Sequence, residues 1–417
     1  MDIFERRESQ VRAYCRTYPA VFTKAKNARI WDRSGRPFLD FFAGAGVLNF
    51  GHNNERIKRA LLEYLEADGV IHSLDMYTEA KERFLETFER ILLEPRGMAH
   101  RVQFPGPTGT NAVEAALKLA RKVTGRASIV AFTDGFHGMT LGALACTGNG
   151  VHRAAAGVPL DHVHRVPFDG YLGEGVDTLL PLRRALADPS SGLTPPAAFL
   201  LETVQAEGGV HVARPEWLLG VRKLAREHGS LLIVDDIQVA CGRTGSYFSF
   251  DGMDLDPDVV LLAKGIGGFG TPLSALLIKP ELDVWAPGEH TGTFRGQGLS
   301  FVAGAEALHY FENDDFCRAV RHKGSRTHER LEKLVQKHSG RGFALRSKGM
   351  IHGLDLGDGG LASRVTQAAF ERGLVIAPCG PGGRVMKVIA PLTIEEGELD
   401  EGLEILEAAL DAALADA

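Results

Sequence analysis

The sequence predicts an α/β fold: a large, mostly parallel sheet domain with helices on both faces, beside a smaller α+β domain built from both termini. Three observations carry that prediction. From about Val102 to Leu277 short, near-continuous apolar runs alternate with amphipathic helices, the mark of a parallel sheet covered on both sides. From residue 315 onward the rhythm changes to a helix, short strands and a final helix. The first hundred residues supply a strand pair and two helices that belong to neither pattern.

In chain order, the N-terminal segment 1–98 holds strand candidates at Arg29-Ile30-Trp31 and Pro37-Phe38-Leu39. The first boundary falls near Arg96 to His100, and the large domain runs over 99–312. Its strands are expected at Val102–Phe104, Ser128–Phe132, Ala198–Leu201, Leu231–Val234, Val259–Leu262 and Ala275–Ile278. A helix over 111–123 sets Val113, Ala116, Leu117 and Ala120 on one face, with Lys118, Arg121 and Lys122 away from it. The C-terminal segment 313–417 offers strands at Gly349–Leu354 and Val385–Val388, then a helix from Glu398 to Ala415.

Composition narrows the function. A net charge of −6 gives no basic surplus for nucleic acid, and no apolar run reaches membrane-spanning length. Five scattered cysteines without a CxxC pair, and a charged start without a signal-peptide core, lead us to expect a cytoplasmic protein. The dispersed histidines form no metal-ligand pattern, so no metal is expected.

The most informative residue is Lys264, which follows the buried run Val259 to Ala263 and opens the turn Gly265-Ile266-Gly267-Gly268. Desolvation at such a place lowers an amine's pKa and makes it a better nucleophile toward a carbonyl. A second buried strand ends in Asp235-Asp236-Ile237-Gln238. A strand-end lysine and a strand-end aspartate are the pair that pyridoxal phosphate requires, one for its aldehyde and one for its ring nitrogen.

Other motifs gain meaning beside that pair. Gly109, Thr110 and Asn111, at the start of the helix, read either as an N-cap loop or as a phosphate cup of free N–H groups. Phe136, in Phe136-His137-Gly138, is core or a stacking partner for a flat ring. Glu202 and Glu207 flank a strand end, where surface exposure and a role in the site both stay open. Read alone, His52, His137 and His290 are loop scaffolding.

Taken together, these motifs resemble the class III aminotransferases, pyridoxal-phosphate enzymes of fold type I, over nearly the whole chain. Thr108-Gly109-Thr110-Asn111-Ala112 stands where the family has Ser-Gly-Thr-Glu-Ala. Glu202-Thr203-Val204-Gln205-Ala206-Glu207 resembles its Glu-Pro-Val-Gln-Gly-Glu, and Asp235-Asp236-Ile237-Gln238 its Asp-Glu-Val-Gln. Lys264-Gly265-Ile266-Gly267-Gly268 and Thr293-Phe294 match the lysine segment and the Thr-Phe of the family. Within the family, Phe41-Phe42-Ala43-Gly44-Ala45-Gly46-Val47-Leu48-Asn49 and Gly288-Glu289-His290 resemble the diaminobutyrate-forming subgroup of the ectoine-pathway type.

The resemblance implies a sheet of the seven-stranded type and a homodimer or dimer of dimers. It makes Lys264 and Asp235 catalytic. It places Gly109, Thr110, Asn111, Phe136, His137, Glu202, Ile237, Gln238 and the partner subunit's Thr293 around the cofactor. Lys387 stands where the family carries an arginine for a substrate carboxylate, with Glu207 as its gate and Arg295 or Arg384 as further candidates. The implied substrates are small: a glutamate amino donor and an aldehyde or keto acceptor, aspartate 4-semialdehyde foremost. Ornithine, 4-aminobutyrate or a similar amine, and an intramolecular aminomutase, are the alternatives.

Overall fold

A computed structural model describes residues 3–415; the outer ends of the segments 1–98 and 313–417, including Met1 and Asp2 of the charged start, lie outside the described residues. The large sheet has seven strands: β1 Arg101–Gln103, β2 Ile129–Phe132, β3 Val163–Val166, β4 Ala198–Leu201, β5 Leu231–Asp235, β6 Val259–Leu262 and β7 Ala275–Ile278. Their spatial order is β1-β7-β6-β5-β4-β2-β3. Only β7 runs against the rest, pairing antiparallel with both β6 and β1.

The apolar runs are continuous because each strand feeds two cores. On one face Ile129, Ala131, Leu200, Ile233, Val259 and Leu261 pack with Val113, Ala116, Leu117 and Ala120 of helix α1 (Gly109–Thr124). On the other, Val130, Phe132, Phe199, Leu201, Val234 and Val260 meet Trp217, Leu218, Val221 and Leu224 of helix α2 (Pro215–Glu227). Alternation of side chains along a strand thus becomes alternation between cores. Each large aliphatic or aromatic side chain so buried contributes roughly 1.5–3 kcal/mol over its exposed state.

The remaining strands join the two ends of the chain. Phe22–Lys26, Arg29–Asp32 and Pro37–Asp40 form an antiparallel meander, and Leu374–Val375 from the C-terminal segment pairs parallel with its last strand. A second, antiparallel sheet orders Ala344–Lys348, Ile351–Asp355, Val385–Val388 and Ala377–Cys379. One core holds Ala28, Leu39 and Phe41 together with Leu354, Met386 and Leu406, so the smaller α+β body is built from both termini. Among the described residues no helix is long and apolar enough to cross a membrane.

Two consequences position the site. Strands β1, β2, β4, β5 and β6 point one way, so the segments that follow them emerge along one edge of the sheet, where ligands bind in open α/β sheets. The strand carrying Lys387 pairs with Ile351–Asp355 and Ala377–Cys379, which seats that lysine inside the smaller body.

Candidate active site

The segment after β2 brings Phe136 and His137, that after β4 brings Glu202 and Glu207, and β5 ends in Asp235. After β6 the chain turns at Lys264, whose φ of +52° lies in the left-handed region. A lysine in that conformation costs about 1–2 kcal/mol, and it is held there by the short 3₁₀ turn Lys264–Gly267. These side chains line one cavity of about 150 Å³, completed by Gly109, Thr110, Gly138, Ile237 and Gln238. A larger cleft, of about 480 Å³ beside Arg96 and His100, is an open groove crossed by the Arg96–Asp251 ion pair and contains none of these residues.

Lys264 is half-buried, and desolvation lowers its pKa below the ordinary lysine range. Glu207, Asp235 and Glu202 oppose that shift, and Lys387 adds to it. Asp235 is buried, with 4% of its surface exposed, and its Oδ2 lies 2.7 Å from His137 Nδ1. Its Oδ1 accepts from the Ile237 amide at 3.2 Å. A carboxylate oriented from two sides is fixed in direction before any ligand arrives. The sequence pattern included His137 without its role; the structure makes it the partner that orients Asp235.

Glu202 is buried, and its carboxyl is pushed well above the usual carboxylate range by burial and then by the nearby charge of Asp235. It accepts the Phe136 amide at 3.0 Å and thereby holds the backbone beneath that ring. Asp236, the neighbour of Asp235, faces away from the cavity lining and accepts the Ser249 amide at 3.0 Å. Burial raises its carboxyl to about 7. A raised folded pKa means the native state binds the extra proton, so this group's contribution is complete below about pH 4 and is lost as pH rises toward 7. Asp236→Asn is therefore expected to gain on the wild type between pH 4 and 7, by up to a few kcal/mol, in denaturant titrations across that range.

The half-buried Glu207 and the buried Lys387 form an ion pair. Burial alone would raise Glu207, but Lys387, Lys264 and the Gln238 amide outweigh it and bring the carboxyl to about 2. Burial likewise works against the charge on Lys387, which is 1% exposed, yet Glu207 keeps its pKa raised. Gln238 donates to Glu207 Oε1 at 3.0 Å and to the Ala45 carbonyl at 2.6 Å, and its Oε1 lies 3.4 Å from Lys387 Nζ. Arg295 and Arg384 are engaged elsewhere, with Asp75 and with Asp355.

The start of α1 is shaped for a close ligand. A Cβ on Gly109 would stand 3.0 Å from Ile237 Cδ1, and one on Gly138 would stand 2.5 Å from Thr110 Oγ1. Thr110 lines the cavity, whereas Asn111 does not: its Oδ1 turns back to accept from the Thr108 amide at 3.2 Å and the Thr108 hydroxyl at 2.8 Å, which caps the helix. Thr293 also lies outside the cavity, on an exposed loop where its carbonyl faces His72 Nε2 at 2.8 Å. Glu114 and Thr140, which the motifs did not single out, form a hydrogen-bonded chain with Thr110.

The residues present fit pyridoxal phosphate. A helix start lacking a Cβ offers room and N–H groups for a phosphate. A desolvated lysine and an oriented, buried carboxylate face the same cavity, with Phe136 and Ile237 on its walls.

A family comparison decides the class: residues 12–410 match the model of the family described as aminotransferase class-III. The chain belongs to the class III aminotransferases. It is thus an enzyme whose cofactor is pyridoxal phosphate. It is 50% identical over 412 residues to the diaminobutyrate–2-oxoglutarate transaminase of Halalkalibacterium halodurans, covering 99% of this chain and 96% of that one. The enzyme of the same name from Halomonas elongata is 50% identical over 409 residues, covering 97% of each chain. Among solved structures, the ornithine aminotransferase of Toxoplasma gondii superposes with a TM-score of 0.85 at 26% identity, covering 99% of this chain and 94% of that one. That likeness extends over nearly the whole chain, including the mostly parallel sheet.

Proposed function

We propose that this class III aminotransferase moves the amino group of L-glutamate to the terminal aldehyde of L-aspartate 4-semialdehyde, giving L-2,4-diaminobutyrate and 2-oxoglutarate. The observation that carries this reading is full-length identity of about 50% to relatives named diaminobutyrate–2-oxoglutarate transaminase. The Glu207–Lys387 pair supports it, because two substrates of different shape share one pocket. We place the enzyme in the cytoplasm as a homodimer or dimer of dimers, with Thr293 reaching the phosphate of the neighbouring protomer.

When bound, pyridoxal phosphate supplies an aldehyde that receives the amino group and a ring that takes up electrons from the adjacent carbon. Lys264 Nζ would hold the cofactor through its aldehyde and, when free, would take a proton from the amine-bearing carbon of the substrate. Asp235, aimed by His137, keeps the ring nitrogen protonated. Phe136 and Ile237 would enclose the ring, Gln238 would give its phenolic oxygen the N–H that it otherwise donates to Glu207, and Gly109 and Thr110 would present backbone N–H groups to the phosphate. Asn111 serves that helix start as its cap. Glu202 secures the loop under Phe136.

Lys387 receives the α-carboxylate of glutamate when Glu207 swings away, and is masked by Glu207 when the terminal amine of diaminobutyrate enters. Lysine pairs with a carboxylate as a point charge, without the two-pronged fork of arginine, so Glu207 competes with glutamate on equal terms. Glu207→Ala should leave glutamate's kcat/KM within about tenfold and lower that of diaminobutyrate by more than about tenfold. Equal losses on both sides would contradict the gate. The reaction itself is tested by incubating the holoenzyme with glutamate and aspartate 4-semialdehyde and identifying products by mass spectrometry. Equimolar diaminobutyrate and 2-oxoglutarate are expected. Nitrogen moved within one molecule, without 2-oxoglutarate, would point to an aminomutase.

A further inference from the structure

The start of α1 carries a chain of three polar side chains that the phosphate-binding role does not explain. Thr110 Oγ1 lies 2.6 Å from Thr140 Oγ1, and Thr140 Oγ1 lies 2.5 Å from Glu114 Oε1. The same Glu114 oxygen accepts the Ala143 amide at 3.0 Å. Two glycines make room for this chain: a Cβ on Gly142 would strike Glu114 Oε2, and one on Gly138 would press on the Thr110 hydroxyl.

Hydrogen counting fixes the direction of the chain. A carboxylate accepts only, and each hydroxyl has one proton to give. At 2.5 Å the Thr140 proton is committed to Glu114, so the contact between the threonines requires the Thr110 proton to point at Thr140. The Thr110 oxygen then turns only lone pairs toward the cavity. A phosphate, itself an acceptor, finds the backbone N–H of Thr110 but no hydroxyl proton.

We propose that Glu114 is a positioning residue that sets the polarity of this hydroxyl chain and withholds the Thr110 proton from the cofactor's phosphate. The proposal rests on reading the start of α1 as the phosphate cup. Removing the carboxylate releases the chain: in Glu114→Ala the Thr140 proton is free to turn to Thr110, and the Thr110 proton is released toward the cavity. Glu114 thereby loosens the grip on the phosphate without touching it.

The test is a double-mutant cycle on binding rather than turnover. Protein stripped of cofactor is titrated with pyridoxamine 5′-phosphate, which has no aldehyde to bond with Lys264, and with pyridoxamine as the phosphate-free reference. Glu114→Ala is expected to tighten pyridoxamine 5′-phosphate about tenfold, the effect of one added hydrogen bond to a charged group. Thr110→Val should cost less than about twofold in the wild type and about tenfold in Glu114→Ala. Thr140→Val, which removes the acceptor of the Thr110 proton while keeping Glu114, should also tighten binding. Equal costs of Thr110→Val in both backgrounds would overturn the proposal and leave charge repulsion as the effect of Glu114. Weaker binding by Thr140→Val would overturn it as well. A wild type that binds pyridoxamine and its phosphate alike would overturn the phosphate cup itself, and the polarity proposal with it.

Discussion

Lys264→Ala is expected to lower turnover by at least about 10⁴-fold while leaving the fold intact. General acid–base catalysis by one positioned group contributes up to about 10⁴-fold, and loss of the covalent anchor adds to that. The fold should persist because the backbone, at φ +52°, costs alanine no more than lysine, and because a partly desolvated ammonium is removed. Melting temperatures of the two cofactor-free proteins should therefore agree or favour the variant; holo forms would confound the comparison, since bound cofactor adds its own stabilisation. Near-normal activity in Lys264→Ala would remove the basis of the site assignment.

Asp235→Asn is expected to be the next most damaging change, with turnover lowered roughly 10²–10³-fold, the range seen when one preorganised electrostatic partner is lost. Asparagine matches the shape and its Oδ1 can still accept from His137 Nδ1, while its amide nitrogen gives up the Ile237 N–H, so the loss combines the charge facing the ring nitrogen with one 3.2 Å backbone contact. The visible spectrum of the bound cofactor, recorded against pH, separates this from misfolding. A variant that binds cofactor normally yet turns over slowly fits the assignment. One that turns over at the wild-type rate contradicts it.

Much of this site was legible in the sequence because chemistry and burial coincide at strand ends. Asp235 and Lys264 each close a run of apolar residues, and such runs are what a sheet buried on both faces demands. The strand Val163–Val166 escaped notice for the opposite reason: it lies at the sheet edge, with His164 exposed and Arg165 inside its short span, so no apolar run announces it. Leu374–Val375 is two residues long and gains its partner from the other end of the chain, which no local pattern records. Capping and anion binding favour the same residue types, so the sequence leaves both open at Asn111, and the hydrogen bonds its Oδ1 accepts from Thr108 are those of a cap. Glu114 and Thr140 sit in different segments, and their joint role exists only where the fold brings α1 against Leu141–Cys146.

The Glu207–Lys387 pair shows the same division. A glutamate after a strand and a lysine in place of an arginine are visible in the chain, but their union depends on the smaller body folding over the edge of the large sheet. Once buried, the pair is ionised in both partners, with Glu207 near 2 and Lys387 raised. Removing one partner leaves the other an uncompensated buried charge, the costly case for such pairs. The proposed gate would therefore work by exchange, one carboxylate for another, and not by opening to an empty pocket.

The measurement that bears most directly on the account is a single half-reaction. Holoenzyme is mixed separately with L-glutamate, L-2,4-diaminobutyrate, ornithine and 4-aminobutyrate, and the visible absorption of the cofactor is followed while mass spectrometry identifies each product. The account predicts bleaching by glutamate with release of 2-oxoglutarate, bleaching by diaminobutyrate with release of aspartate 4-semialdehyde, and weak responses to the other two. Bleaching by ornithine or 4-aminobutyrate in preference to diaminobutyrate, or none by glutamate, would contradict it.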